Sequence, residues 1–240
     1  MSTLNLKTIH PSWLPIIEPA LADLNPAYVQ EISLQSNWLP GPDYIFSAFS
    51  LPLPELKYIL FGESPYPRAH SANGYAFWDN AVGELWTKTG LSAPVNRATS
   101  LRNIIKMLLI ADGALSEQST TQDAIANLNK SHYVKTLADL FHNLLSKGFL
   151  LLNATLVFRP DQVRKDAASW RPFTAKILEG LLKFHIDAEL LLFGKVAHDI
   201  STLPVAASFQ KLICEHPYNI SFINNPKVLE FFAPLHLLRQ

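Results

Sequence analysis

Four short, mostly apolar segments, each followed by a polar loop, constrain the fold of this chain more than any other sequence feature. They are Lys57 to Phe61, Phe149 to Leu152, Glu189 to Phe193 and Lys211 to Cys214. Such segments are typical of strands buried on both faces of a parallel sheet, and amphipathic segments lie between them. We therefore predict an α/β fold, a three-layer α/β/α arrangement with a central four-stranded parallel sheet, in a single domain spanning residues 1–240.

The helices are predicted from the spacing of apolar residues and from boundary residues. Prolines divide residues 12–33 into helical pieces, and Ser100 is predicted to be the N-cap of a helix that reaches Ile110. Three further helices are expected at His132 to Ser146, Trp170 to Lys183 and Ala197 to Leu203.

Composition restricts the compartment and the kind of surface. The formal net charge is +0, which argues against a strongly basic protein but allows a local basic groove. Cys214 is the only cysteine, so no internal disulfide can form, and the apolar runs are too short to span a membrane. We expect a cytoplasmic protein that does not enter a membrane, with access to the nucleoid, or to the nucleus in a eukaryote.

Polar residues follow all four predicted strands. The carboxyl ends of parallel strands share one edge of a sheet, where open α/β folds bind ligands. The sequence therefore predicts one pocket built from the four loops, which are Gly62-Glu63-Ser64, Asn153-Ala154-Thr155, Gly194-Lys195 and His216-Pro217-Tyr218.

These loops resemble the motifs of the uracil-DNA glycosylase family. Gly62 to Pro67, followed by Gly74 to Phe77, resembles the family's Gly-Gln-Asp-Pro-Tyr-His and Gly-x-Ala-Phe. The other motifs occur in the family's order at Phe46–Phe49, Ser100–Asn103, Leu150–Leu156, Trp170–Thr174, Leu192–Lys195 and His216–Ser221. The resemblance covers nearly the whole chain and implies the family's fold and a base-excision enzyme of DNA repair.

The resemblance also implies roles for individual residues in a pocket that holds a base flipped out of DNA. Phe77 would stack on the base, and the Asn153 amide would read the uracil edge with a donor and an acceptor. Tyr66 would exclude the thymine methyl group. His216 would stabilise the anion of the leaving uracil.

Five further positions correspond to residues that contact DNA in the family. Ile220 would fill the space vacated by the flipped base, and Ser100, Lys195 and Ser221 would bind backbone phosphates. Tyr218 replaces a serine, and its phenol would stack on a base or reach a phosphate.

The water-activating motif departs from the family's pattern. Ser64 replaces the catalytic Asp, and a serine orients water but supplies no negative charge to a cationic sugar. Glu63 replaces a Gln, and two interpretations stay open: it supplies the missing carboxylate, or it is an ordinary acidic loop residue. Pro67 replaces a histidine.

The leading hypothesis is a DNA glycosylase that hydrolyses the N-glycosidic bond of a flipped-out uracil or related damaged base, at a rate reduced or altered by Ser64. The alternative is an inactive homologue that binds DNA or a protein partner, and a nucleotide or free-base binder is a third hypothesis. The family implies no metal and no organic cofactor. We expect single- or double-stranded DNA as the partner and a monomeric protein.

Overall fold

The computed structural model describes residues 4–35 and 37–240. The strands are β1 (Tyr58–Gly62), β2 (Trp86–Thr87), β3 (Gly90–Leu91), β4 (Phe149–Asn153), β5 (Glu189–Phe193) and β6 (Lys211–Cys214). The α-helices are α1 (Leu14–Ala22), α2 (Pro26–Leu34), α3 (Ala93–Arg97), α4 (Thr99–Ala111), α5 (Gln122–Ala126), α6 (Leu137–Ser146), α7 (Val163–Lys183), α8 (Lys195–Ser201) and α9 (Pro226–Phe232).

The four predicted strands form one sheet in the order β4-β1-β5-β6, which confirms the predicted fold class. Strand β1 pairs in parallel with both β4 and β5. Because β1 and β4 end in register, Gly62 and Asn153 lie side by side at the carboxyl edge. The loops that follow β1 and β4 therefore begin at the same place.

Alternation of side chains along the central strands buries both faces of the sheet. Ile59 and Phe61 of β1, with Leu150 and Leu152 of β4, belong to the apolar core that contains α1 and α7. The intervening Leu60 points to the opposite face and is also buried. This explains why each strand is a continuous apolar run rather than an alternating one.

The chain divides into two compact units, and the division falls within β6. The first unit comprises residues up to Asp79 and Gly148–Lys211, and the second comprises Asn80–Lys147 and Leu212–Gln240. The single domain over residues 1–240 stays a prediction. No helix in the described part of the chain is both long and apolar enough to cross a membrane.

A buried polar network holds the start of α7 in the first unit. The Arg159 guanidinium forms an ion pair with the Asp166 carboxylate, and both side chains are almost fully buried. Asp166 also accepts a hydrogen bond from the Tyr28 hydroxyl at 2.9 Å, and Tyr28 accepts one from the Trp170 indole at 3.0 Å. The network satisfies every charged group that it buries, as an apolar surrounding requires.

Four predicted helix starts were wrong, and one of them is α8, which begins at Lys195 rather than Ala197. Helix α4 begins at Thr99 with Ala98 as its N-cap, so Ser100 is the second helical residue and not the cap. Helix α6 begins at Leu137, because Thr136 forms a capping box with Asp139. Helix α7 begins at Val163 rather than Trp170, because its first two turns bury Asp166 in the polar network and carry little apolar periodicity.

Candidate nucleic-acid site

Gly62 and Asn153 form the base of the site in the first unit. A Cβ atom at Gly62 would lie 2.4 Å from Asn153 Oδ1 and 2.8 Å from Ala76 Cβ. Only glycine lets the Asn153 amide and the 76–77 segment approach the β1 backbone so closely. The Asn153 side chain is thereby fixed at the strand edge, with 2% of its surface exposed.

Phe77, which follows Ala76, has an unusual backbone conformation. Its φ is 63°, in the left-handed region that costs a non-glycine residue about 1–3 kcal/mol. The Ala76 amide donates to the Leu151 carbonyl at 3.0 Å, and the Phe77 carbonyl accepts from the Tyr66 hydroxyl at 3.2 Å. These bonds impose the strain, and strain of this kind is concentrated at functional sites.

Tyr66 keeps its phenol proton at neutral pH. Burial raises the pKa of Tyr66 well above its ordinary value, and the nearby Asp79 carboxylate raises it further, while Arg68 opposes both. Asp79 is itself buried and accepts a hydrogen bond from Arg68 at 3.0 Å. The Tyr66 hydroxyl therefore remains a hydrogen-bond donor to the Phe77 carbonyl.

Glu63 and Ser64 follow Gly62 in the loop after β1. The Glu63 carboxylate lies 3.4 Å from Lys195 Nζ, and the two side chains are 62% and 74% exposed. Glu63 lines a cleft between α7 and α8 that neither Asn153 nor Phe77 lines. Ser64 is half-buried. The structure thus brings Glu63 together with Lys195, at the ends of β1 and β5.

His216 follows β6 in the second unit, and its ring orientation is fixed by its own loop. The Tyr218 backbone amide donates to His216 Nδ1 at 3.0 Å. Since Nδ1 accepts this bond, a neutral His216 carries its proton on Nε2. The loop therefore presents His216 as a donor through Nε2.

Asn103 of α4 anchors this loop, a role that the sequence did not reveal. Its Nδ2 donates to the Pro217 carbonyl at 2.7 Å and also lies 3.5 Å and 3.4 Å from the carbonyls of Tyr218 and Asn219. Asn103 is 1% exposed. The Ser-Leu-x-Asn motif included Asn103, but the sequence alone does not show which loop a mid-helix Asn contacts.

Four other residues that are predicted to contact DNA lie in the same loop or on α4. Tyr218 and Ile220 expose 67% and 64% of their surfaces, whereas most large apolar side chains of this protein are buried. Ser221 is exposed, and Ser100 lies one turn before Asn103. Burial pushes the pKa of Glu215 upward, but hydrogen bonds from its backbone, Ser221 and Asn225 outweigh burial and hold the pKa below its ordinary range.

The predicted site residues thus fall into two groups. The first unit carries Glu63, Ser64, Tyr66, Phe77, Asn153 and Lys195, and the second carries Ser100, His216, Tyr218, Ile220 and Ser221. Within residues 4–35 and 37–240, no group of three or more His, Cys, Asp or Glu side chains is placed to hold a metal ion.

The fold defines a class, the parallel α/β proteins, and places Ser64, Asn153 and Lys195 at or just after the carboxyl ends of β1, β4 and β5, where open α/β proteins bind ligands. The structure is closely similar to that of the wild-type UNG of Nitratifractor salsuginis, with a TM-score of 0.93 and 41% identity over 98% of this chain and 95% of that one. The chain belongs to the uracil-DNA glycosylase family.

Relatives with lower sequence identity are also uracil-DNA glycosylases. The curated uracil-DNA glycosylases of Leuconostoc mesenteroides and Mycoplasma genitalium are each 26% identical, over 88% and 91% of this chain and 84% and 82% of their own lengths. The mimivirus uracil-DNA glycosylase shares the fold, with a TM-score of 0.58 and 17% identity over 90% of this chain and 72% of that chain. No family model matches the chain.

Proposed function

We propose that this protein removes uracil from DNA by hydrolysing the N-glycosidic bond of a flipped-out nucleotide. The observation that carries the proposal is the close approach of Asn153 and Ala76 to Gly62 at the carboxyl edge of the sheet, with the strained Phe77 next in the chain. This arrangement suits recognition of a pyrimidine, and its cost in backbone strain is hard to explain by folding alone. The 41% identity to the Nitratifractor salsuginis UNG supports it.

Recognition is assigned to three side chains of the first unit. The Asn153 amide offers a donor and an acceptor side by side, which matches the edge of uracil. Phe77 stacks on the ring, and Tyr66 blocks the position that the methyl group of thymine would take. Because Gly62 fixes the amide, little side-chain entropy is lost when the base binds.

His216 is assigned to the leaving base. As the glycosidic bond lengthens, negative charge develops on a uracil oxygen, and a fixed N–H donor lowers the energy of that state. The Tyr218 amide keeps the proton of the neutral His216 ring on Nε2, so no tautomer change is needed during reaction.

Orientation of the attacking water is assigned to Ser64 rather than to Glu63. The Glu63 carboxylate is exposed and paired with Lys195, which favours a role in binding over one in hydrolysis. A hydroxyl at position 64 orients water without balancing the positive sugar. Losing a general base costs roughly 10²–10⁴-fold in rate, so we expect slow but measurable excision.

DNA contacts are assigned to the exposed residues. Lys195, Ser100 and Ser221 bind phosphates, Tyr218 stacks on a base or reaches a phosphate, and Ile220 fills the space left by the flipped nucleotide.

The test is release of uracil from single-stranded and duplex oligonucleotides at stoichiometric enzyme, with Asn153→Ala as the control. Release that disappears in the control supports the proposal. No release by the natural protein from either substrate would refute the enzymatic function.

One observation, the hydroxyl in place of a carboxylate at position 64, favours a second candidate. In that case the protein is an inactive homologue that binds DNA or a protein partner. Tight binding of uracil-containing DNA without release, together with rapid release by Ser64→Asp, would support this alternative.

A further inference from the structure

A cleft between α7 and α8 contains Lys195, which is assigned above to a DNA phosphate, but the rest of its lining has no part in the function proposed above. Its volume is about 300 Å³, at the small end of the range for ligand sites. Apolar side chains form one surface of the cleft, which we call the alanine floor. It contains Ala154, Ala167, Ala168, Val196 and Ile200. The α7–α8 cleft therefore has room for one small ligand with a flat apolar part.

Three cationic side chains (Arg164, Arg171 and Lys195) and two acidic ones (Glu63 and Asp199) line the cleft. Arg164 is exposed and forms no ion pair with another described residue. The Arg171 guanidinium is fixed by hydrogen bonds to the Asp199 carbonyl at 3.0 Å and Thr202 Oγ1 at 2.8 Å. A fixed guanidinium plane is a stacking surface for a base, and a second, unpaired guanidinium suits a phosphate.

Lys195 supplies a third cation, and its present partner is easily replaced. Its Nζ lies 3.4 Å from the Glu63 carboxylate, and both side chains are largely exposed. Exposed ion pairs of this kind are weak, so a phosphate group that brings more charge competes well with Glu63.

The cleft continues directly from the base-recognition residues. Ala154 follows Asn153, and its amide donates to the Gly62 carbonyl at 2.8 Å. The Thr155 amide donates to the Glu63 carbonyl at 3.1 Å. The same pair of strand-end loops therefore forms the Asn153 site and one wall of the cleft.

We propose that the α7–α8 cleft binds a nucleotide that neighbours the target uracil in the same DNA strand. Its phosphate lies on Arg164 and Lys195, and its base lies on the alanine floor against Arg171. When the nucleotide binds, its phosphate takes the place of the Glu63 carboxylate as the ion-pair partner of Lys195. The strand assignment rests on the proposed function, whereas occupancy of the cleft by a nucleotide does not.

The first experiment measures occupancy without catalysis. Thymidine 3′,5′-bisphosphate is titrated into the protein, and backbone amide shifts are followed by NMR. We expect saturable shifts at Ala167, Ala168 and Val196, loss of these shifts in Ala168→Trp, and roughly tenfold weaker binding in Arg164→Gln, the loss expected for one charge-assisted contact. Lys176→Gln removes the same charge from α7 outside the cleft and should leave binding unchanged.

The outcomes separate the possible ligands. Equal shifts with inorganic phosphate at the same concentration would reduce the site to an anion site and overturn the nucleotide assignment. Shifts confined to residues around Asn153 would overturn the proposal altogether.

The second experiment identifies the source of the nucleotide. For a long single-stranded uracil substrate, kcat/KM should fall roughly tenfold in Ala168→Trp and Arg164→Gln, and less for a substrate that lacks the neighbouring nucleotides. If the bisphosphate binds but kcat/KM stays unchanged in both variants, the ligand is a free nucleotide and the strand assignment fails. If the natural protein releases no uracil, the proposed function fails, while the titration still decides whether the cleft binds a nucleotide.

Discussion

The two groups of site residues differ in how they are held. In the first unit, Asn153 is buried against Gly62, and Phe77 is fixed by two backbone contacts. In the second unit, Tyr218 and Ile220 are mostly exposed, and the buried side chain of Asn103 contacts three carbonyls of their loop. A rigid recognition pocket and an exposed loop on a fixed base are what base flipping needs, since the pocket must discriminate and the loop must enter the DNA.

The largest effect is expected from a single methyl group in the rigid region. Gly62→Ala places a Cβ 2.4 Å from Asn153 Oδ1, so the amide must move or the strands must separate. We expect a loss of roughly 1–3 kcal/mol in the free energy of unfolding. We also expect kcat/KM for uracil DNA to fall roughly 10²-fold, the cost of misplacing a positioning group by about 1 Å. Chemical denaturation and steady-state kinetics measure the two effects.

Gly83→Ala is the matched control, because a Cβ at Gly83 meets nothing within 4 Å. If Gly62→Ala behaves like this control in both measurements, the Asn153 amide is not held by contact with the strand.

The next effect tests the anchor of the exposed loop. Asn103→Asp removes the Nδ2 donor and places a carboxylate against the loop carbonyls. We expect kcat to fall at least tenfold with little change in KM, because a contact made mainly in the transition state is lost when His216 moves. The Nδ1 and Nε2 chemical shifts of His216 should report loss of the single tautomer.

Asn143→Asp provides the comparison, since Asn143 of α6 donates in the same way to the Leu237 and Arg239 carbonyls. We expect it to lower stability but not kcat. Equal losses of kcat in both variants would mean that Asn103 acts only through overall stability.

A smaller effect separates DNA entry from base recognition. Ile220→Ala shortens the exposed side chain that is assigned to the vacated space. We expect kcat/KM to fall about three- to tenfold on duplex uracil DNA and to stay nearly constant on single-stranded DNA, where no base stack is opened. Ile213→Ala, also exposed but on β6, should change neither value. Equal losses on both substrates would assign Ile220 to the pocket instead.

The smallest effect is expected in the pH dependence of alkylation at Cys214, which lies at the base of the exposed loop. Burial raises the pKa of Cys214 to about 12, and the Glu215 carboxylate contributes. The thiolate therefore forms late as pH rises, and alkylation by iodoacetamide should keep accelerating above about pH 10 instead of levelling off there. A plateau at about pH 10, as for a free thiol, would show that the loop opens at its base.

Much of the fold was predictable because the buried strands have an unambiguous pattern. All four long strands were confirmed, since short apolar runs that are each followed by a polar loop leave few alternatives. Helix starts were less predictable, because Asp166 and Thr136 act through polar contacts that apolar periodicity does not reveal.

The site was predictable only as a set of residues. Motif order predicts Asn153, Phe77 and His216 as site residues, but neither the contact between Asn153 and Gly62 nor the anchoring of the His216 loop by Asn103 can be read from spacing. The pairing of Glu63 with Lys195 was also hidden, because 132 residues separate them and only the parallel order of β1 and β5 brings them together.

The central claim is that recognition is intact and that Ser64 limits the chemistry. Single-turnover rates on one uracil oligonucleotide, for the natural protein and for Ser64→Asp, test it most directly. We predict slow release by the natural protein, a rate roughly 10²–10⁴-fold higher for Ser64→Asp, and unchanged DNA affinity. No release by either protein, or an equal rate for both, would contradict the account.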